Sequence, residues 1–247
     1  MAETIRYSFA RYEQKYFLTP DQQQVLLDGM REHMTADGYG QYTVCNIYFD
    51  TEDWRLVRRS IEKPAYKEKL RVRSYGVPAE DGRVFAELKK KCGGVVYKRR
   101  VTVGATEAEP FLSGLTPEEP AGQIAQEIRW FQQRYRARPR VFIAYDRTAY
   151  AGREDPTLRV TFDTGLRWRD RALDLCLGDD GEPVLAPGSP YAGRILMELK
   201  TAGACPLWLV RILSAVRAYP VSFSKYGSCY TEHILKRTIQ REALRYA

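Results

Sequence analysis

Apolar and charged residues alternate along much of this chain. Leu70 and Val72 fall between Lys69, Arg71 and Arg73, with Lys67 continuing the charged series. Ala86 and Leu88 likewise oppose Glu87 and Lys89, and Tyr97 and Val101 oppose Lys98 and Arg100. Further on, Val160 and Phe162 oppose Arg159 and Asp163, and Ile195, Met197 and Leu199 oppose Glu198 and Lys200. A period of two is that of a strand, whose successive side chains point to opposite faces. The pattern predicts strands over residues 43–50, 66–75, 83–90, 95–103, 141–150, 158–162 and 194–200, each with one face apolar enough to pack on helices. Gly93-Gly94 marks a hairpin turn between two of them.

Elsewhere the period lengthens to that of a helix. Ile124, Ile128, Phe131 and Tyr135 form one stripe over 121–136, and Pro139 ends it. At Thr19-Pro20-Asp21-Gln22, Thr19 can cap, Pro20 suits the first helical position and Gln22 completes a capping box. That helix is expected to run to about residue 34, with Gly38 and Gly40 marking a loop after it. Helices are also predicted over 206–218 and from about 228 to the end, with a Gly-, Pro- and Asp-rich loop over 178–190. Strands that come in runs with short links favour an antiparallel sheet. No Gly-, Ser- or Pro-rich linker divides the chain, so it reads as a single α+β domain over 1–247. Two related halves are suggested by a repeated order: Phe49-Asp50-Thr51 then Glu87-Leu88-Lys89, and Phe162-Asp163-Thr164 then Glu198-Leu199-Lys200.

Composition narrows the chemistry. Hydrophobic residues make up 44% of the 247, enough for a core, and 39 Lys and Arg against 31 Asp and Glu give a net charge of +8. That excess favours anionic partners without choosing among nucleic acid, acidic lipid, nucleotides and polyphosphate. The five cysteines lie scattered, with no metal-ligand spacing, and read as reduced thiols of a cytoplasmic protein. There is no signal region, and no apolar run reaches the roughly 18 residues of a membrane helix. The longest candidate, over 202–216, is interrupted by Arg211.

Gly-rich phosphate loops and Cys/His or His-Glu-x-x-His metal patterns are absent. The two histidines, His33 and His233, fall in predicted helices with surface or structural roles. The 17 tyrosines include Tyr7, Tyr12, Tyr48 and Tyr97 at sheet positions, where core packing is a simpler reading than base stacking. The basic, amphipathic tail over 230–246 reads as a docking helix, with lipid contact or plugging of a tunnel mouth as alternatives.

The charged strand faces admit two readings. The outer face of an antiparallel sheet is ordinarily solvated. Yet these positions are mostly of one sign and recur in nearly every strand, so closing the sheet would gather them inside. A cation-lined barrel repels itself. A polyanion threading it removes the repulsion, because Arg and Lys make charge-assisted hydrogen bonds to phosphate oxygens. The few carboxylates among them could hold Mg²⁺ or Mn²⁺.

Several strings, taken in order, carry a resemblance: Arg11-Tyr12-Glu13-Gln14-Lys15-Tyr16, Leu70-Arg71-Val72-Arg73, Glu87-Leu88-Lys89, Val96-Tyr97-Lys98-Arg99-Arg100, Tyr145-Asp146-Arg147, Leu158-Arg159-Val160-Thr161-Phe162-Asp163, Glu198-Leu199-Lys200 and Ser224-Lys225-Tyr226. Together they resemble the VTC domain, the polyphosphate polymerase domain of the vacuolar transporter chaperone family and its bacterial relatives, within the triphosphate tunnel metalloenzyme (CYTH-like) superfamily. The resemblance covers the chain from about Tyr7 to Tyr230. It implies an antiparallel β-barrel tunnel with helices packed outside. It also implies transfer of the ATP γ-phosphate to a growing inorganic polyphosphate chain, with Mn²⁺ or Mg²⁺. The alternatives are a triphosphate or polyphosphate hydrolase of the same fold and a polyphosphate-binding module without catalysis.

By that resemblance, Arg71, Arg73, Lys98, Arg147 and Arg159 are the catalytic cations. Lys15, Lys89, Tyr145, Lys200, Ser224 and Lys225 bind substrate, and Glu198, with Glu87 and Glu13, holds the metal. Glu13 and Glu87 have orienting the neighbouring cations as an alternative role. ATP and polyphosphate are the expected partners and nucleic acid is not. The resemblance also leaves room for a membrane protein that exports the product. Tunnel hydrolases usually begin with Glu-x-Glu-x-Lys, whereas Arg11-x-Glu13-x-Lys15 stands here, which leans towards the polymerase. The chain begins almost at the first strand, so the SPX sensor and membrane segments of eukaryotic members are expected to be missing, and fewer basic residues stand near Ser222 to Lys225.

Overall fold

In chain order the strands are β1 (Tyr12–Leu18), β2 (Met34–Asp50), β3 (Tyr66–Tyr75), β4 (Arg83–Cys92), β5 (Val95–Gly104), β6 (Arg138–Gly152), β7 (Arg159–Arg169), β8 (Glu182–Pro183) and β9 (Ile195–Thr201). The helices are α1 (Pro20–Met30), α2 (Arg55–Ile61), α3 (Ala108–Leu112), α4 (Gln123–Tyr135), α5 (Leu207–Ala215), α6 (Lys225–Cys229) and α7 (Lys236–Ala243), with a π-helical turn, Tyr230–Leu235, between the last two. The structure is a computed structural model and describes residues 12–93, 95–115 and 120–245. Tyr7, Arg11, Gly94 and Tyr246, on which parts of the sequence reading rest, lie outside the described residues.

All strands join one sheet in the order β1-β9-β7-β6-β2-β3-β4-β5, with β8 beside β7, and every pairing is antiparallel. β1 and β4 stand six strands apart in that order, yet Lys89 of β4 comes within 3.9 Å of Glu13 of β1. The sheet is therefore curled into a tunnel. Its seam is not a strand ladder: no pairing joins β1 to β5 among the described residues. The free edge of β1 is instead followed by the segment before α6, where the Val221 amide donates to the Lys15 carbonyl at 2.7 Å.

The alternating pattern sorts the faces. On the outside, Ile47, Phe49, Leu70, Val72, Ala86 and Leu88 pack with Phe111 of α3 and Ile128 and Phe131 of α4. A second outer layer sets Tyr16, Leu18, Val160, Phe162, Met197 and Leu199 against Leu26 and Met30 of α1 and Leu209 and Leu213 of α5. The inner face has an apolar region as well. There Phe17, Tyr48, Ile143, Trp168 and Leu196 meet Tyr226, Cys229, Tyr230 and Ile234 of the C-terminal helical segment.

The Thr19 capping box forms as the sequence indicates. α1, however, stops at Met30, because Met34, Thr35 and Ala36 pair with Gly152, Ala151 and Tyr150. Gly38 and Gly40 sit within β2, where the register breaks between Ala36 and Gln41 and Gly40 takes a φ of 62°. They make a bulge inside a strand, which the smaller steric demand of glycine permits.

α2 and α3 are additions to the sequence reading, each too short to show a helical stripe. The last helical segment begins at Lys225, three residues before the expected start, because Ser224 caps it through the Gly227 amide (3.1 Å). The two repeated halves are not structural copies: β3 separates the first pair of strings, whereas β7 and β9 are direct neighbours in the second. All five cysteines are unpaired. Among the described residues no helix is long and apolar enough to cross a membrane.

Candidate functional site

The inner face gathers charge around two buried carboxylates. The first is Glu87 on β4. Arg71 reaches its Oε2 through Nε (2.9 Å) and Nη2 (2.7 Å), and Lys98 Nζ lies 2.7 Å from Oε1. Arg73, at 3.9 Å from Glu87, is oriented by Asn46, whose Oδ1 accepts from Nε at 2.9 Å, and by the Tyr145 hydroxyl at 3.2 Å. The Tyr48 hydroxyl accepts from Arg71 Nη1 at 3.2 Å.

The second is Asp163 on β7, fully buried. Arg147 holds it in a fork, Nε to Oδ1 at 2.6 Å and Nη2 to Oδ2 at 2.8 Å, while Lys225 Nζ donates to Oδ2 at 2.6 Å. Glu198 on β9 shares both cations, Lys225 at 3.1 Å and Arg147 at 3.3 Å, with Lys200 at 3.7 Å and Lys15 at 3.8 Å. Tyr145 joins the centres: its hydroxyl meets Arg73, and Lys225 lies 4.3 Å from its ring centre. Glu13 sits between Lys15 (3.4 Å) and Lys89 (3.9 Å), which bridges the sheet across the seam. Lys69 donates to the Ser224 hydroxyl at 3.1 Å, and Lys15 to the Phe223 carbonyl at 3.0 Å.

These neighbours fix the charge states. Burial works against an ionised Glu87, but Arg71, Arg73 and Lys98 outweigh it and hold the carboxyl well below the usual range. Burial likewise opposes ionisation of Glu198, and Lys225, Lys15 and Arg147 reverse the balance. Tyr145 is more acidic than an ordinary phenol, because Arg73, Arg147 and Lys225 overcome its burial. The lysines move the other way. Burial, joined by Arg71 and Arg73 and opposed by Glu87, brings Lys98 down to about 8. Burial and the charges of Lys89, Lys15, Lys67 and Arg71 bring Lys69 down to about 7.

The sequence-derived site residues thus come together, with differences in detail. Arg71, Arg73, Lys98 and Arg147 point into the basin, as do Lys15, Lys89, Tyr145, Lys200, Ser224 and Lys225. Arg159 stands at its rim, exposed and opposite Lys200 in the β7–β9 register. The three carboxylates assigned to a metal do not form one cluster; among the described residues no group of three metal-binding side chains occurs. Glu87 is enclosed by its own cations. Glu13 and Glu198 lie on neighbouring strands and share Lys15, and two carboxylates completed by phosphate oxygens suit Mg²⁺ or Mn²⁺. That pair fits a divalent ion; Glu87 does not join it.

Sequence reasoning left out Asn46, read Tyr48 as core packing, placed Lys69 on the charged face without a site role, and noted Asp163 without a role. Asp163 had a signal, the string shared with Asp50. Asn46 had none, being one polar residue within the apolar run from Val44 to Phe49. A separate crevice of about 480 Å³ opens among α1, the start of β2 and the end of β6. It is remote from this chemistry, and its arginines are engaged, Arg31 by Asp28 and Arg153 by backbone carbonyls. His33 stacks on Trp208 and His233 meets the Val184 carbonyl, both away from the basin.

A family model described as the VTC domain matches residues 10–233. Among the solved structures that share the fold are two that cover nearly all of this chain. One is a candidate adenylate cyclase from Bacillus halodurans (TM-score 0.53, 15% identity, covering 89% of this chain and 96% of that one). The other is a candidate adenylyl cyclase from Hippeastrum with a dominant triphosphatase activity (TM-score 0.51, 15% identity, covering 89% and 95%). No curated protein matches the chain.

Proposed function

The chain belongs to the VTC domain family, a polyphosphate-related family of the triphosphate tunnel fold, and from that premise we propose that it transfers the γ-phosphoryl group of ATP to the end of an inorganic polyphosphate chain. The observation that supports this most is the convergence of Arg71, Arg73, Lys98, Arg147 and Lys225 on one inner face. Phosphoryl transfer asks little covalent help of a protein. It needs alignment and neutralisation of charge on the equatorial oxygens.

The arginine forks supply both. Glu87 and Asp163 hold the guanidinium groups of Arg71 and Arg147 in place before substrate arrives, so little reorganisation accompanies the reaction. Each donor that leaves its carboxylate for a phosphate oxygen exchanges one charge-assisted bond for another. The attacking oxygen is the terminal phosphate of the acceptor, already ionised, so no side chain has to remove a proton. Glu198 with Glu13 would hold Mn²⁺ or Mg²⁺. When bound, the ion supplies charge neutralisation to the transferring group.

Hydrolysis of a triphosphate is the competing reading, favoured by the triphosphatase activity of the Hippeastrum neighbour. One assay separates them: purified protein with ATP and Mn²⁺, resolved for long-chain polyphosphate and for orthophosphate. Polymer is expected. Arg73→Ala should lower its rate by about 10²–10³-fold. Glu198→Gln should abolish metal-dependent turnover with the fold intact, since Asp163 still pairs with Arg147 and Lys225. Orthophosphate as sole product would select the hydrolase, and full activity in both variants would reject the site.

A further inference from the structure

The phosphate-gripping cations do not account for a row of aromatic rings beside them. Tyr42, Tyr75 and Phe85 follow one another across β2, β3 and β4 with ring centres 5.9 Å apart at each step, edge to face. Arg100 of β5 caps the row, its guanidinium 4.9 Å from the centre of the Phe85 ring. Directly paired residues of adjacent strands share a face. Tyr42 pairs with Arg147 and Phe85 pairs with Arg73. Tyr75 lies two residues from Arg73 on the same strand, hence on the same face. The row therefore lines the inner face next to the two arginines on which the phosphate chemistry rests.

Cross-strand aromatic pairs can serve the sheet alone, but packing would then be expected to cover them. Here Tyr75 keeps 50% of its surface exposed, and Tyr39, 6.2 Å beyond Tyr42, keeps 82%. Exposed aromatic surface beside a cationic basin suits a ligand with a flat apolar part and a polyanionic part. We propose that Tyr42, Tyr75, Phe85 and Arg100 form a stacking platform for the base of a nucleoside triphosphate whose phosphates enter the basin at Arg73 and Arg147. This rests on the phosphate reading above and deepens it. It makes a nucleotide, and not an inorganic chain, the ligand that this rim recognises. A π-face is common to all bases, so ATP and GTP should be held alike.

The test is titration calorimetry of the full chain with ATP and with inorganic tripolyphosphate, in buffer free of divalent ions so that no turnover occurs. Tyr75→Ala is expected to weaken ATP roughly tenfold and to leave tripolyphosphate where it was. Tyr75→Trp, which restores a ring, should keep ATP affinity. Equal weakening of both ligands in Tyr75→Ala, or no weakening of either, would overturn the platform while leaving the phosphate basin standing. Wild-type protein that binds neither ligand would overturn the basin, and the platform with it.

Discussion

Buried cations in this protein keep their charge where a carboxylate accompanies them. Asp163 does so for Arg147 and Lys225, and Glu87 for Arg71, whereas the pKa of Lys98, at the exposed side of Glu87, is held only at about 8. Lys69 has no carboxylate within ion-pair distance among the described residues; its one hydrogen bond is to the Ser224 hydroxyl. Burial, then the positive charges of Lys89, Lys15, Lys67 and Arg71, bring its pKa to about 7, against ~10.4 for a free lysine. Between those values the unfolded chain binds the proton that the folded chain has released, so stability rises with pH across that window. The charge on Lys69 therefore costs the fold most at about pH 7 and below, and almost nothing once the unfolded lysine is also neutral. Lys69→Met is expected to raise Tm at neutral pH, by an amount that shrinks towards about pH 10. Calorimetric melts of both proteins across that range check it; a gain that does not vary with pH would mean that charge is not the cause. The sequence pattern placed Lys69, Arg71 and Arg73 on one face because alternation is local. It could not assign their partners. Arg147 and Lys225 meet Asp163 across 16 and 62 residues of chain, a matter of topology and not of period.

The same limit governs whole elements. α4 was readable from four apolar residues at helical spacing, and α1 from its capping box, since the first signal lies within about three turns and the second within one. α2 carries no such signal, because what starts it is the side chain of Asp50, the last residue of β2. Its Oδ1 accepts from the Leu56 amide and its Oδ2 from the Val57 amide, both at 2.9 Å, and Oδ2 accepts further from the Tyr226 hydroxyl at 2.8 Å. Asp50 and Asp163 end the same Phe-Asp pair, each buried with its Phe on the outer face. One secures a helix and the C-terminal segment, whereas the other secures cations. Asp50→Ala strands three donors in a buried place and should destabilise the protein on the order of 3 kcal/mol, read as a shift in the urea midpoint with unchanged slope. A loss below about 1 kcal/mol would show that water reaches those donors freely.

Taken whole, the molecule carries +8 and concentrates much of its positive charge on the inside of a curled sheet. The alternating pattern made that concentration legible, since a single-signed strand face repeated from strand to strand has to converge when the sheet curls. The seam was not legible: the chain fills it with the segment from Val221 to Lys225, whose polar contacts show no periodicity. In the free protein, repulsion among Lys15, Lys69 and Lys89 is offset by two nearby carboxylates, Glu13 beside Lys15 and Lys89 and Glu198 beside Lys15, the second of which also serves Lys225 and Arg147. A ligand that brings several negative charges to this place binds the folded state alone, because the unfolded chain cannot assemble the basin. Inorganic tripolyphosphate at about 100 times its Kd should then stabilise the fold by ~2.7 kcal/mol. At roughly 2–4 °C per kcal/mol for a chain of this size, the expected rise in Tm is about 5–10 °C. Raising the salt from ~0.1 M to ~1 M shortens the Debye length from about 10 Å to about 3 Å and should shrink the rise at fixed ligand. Orthophosphate at the same concentration spans fewer of the cations and should give a smaller shift. Equal shifts from the two anions would mean that isolated surface lysines, and not a convergent basin, take up the charge.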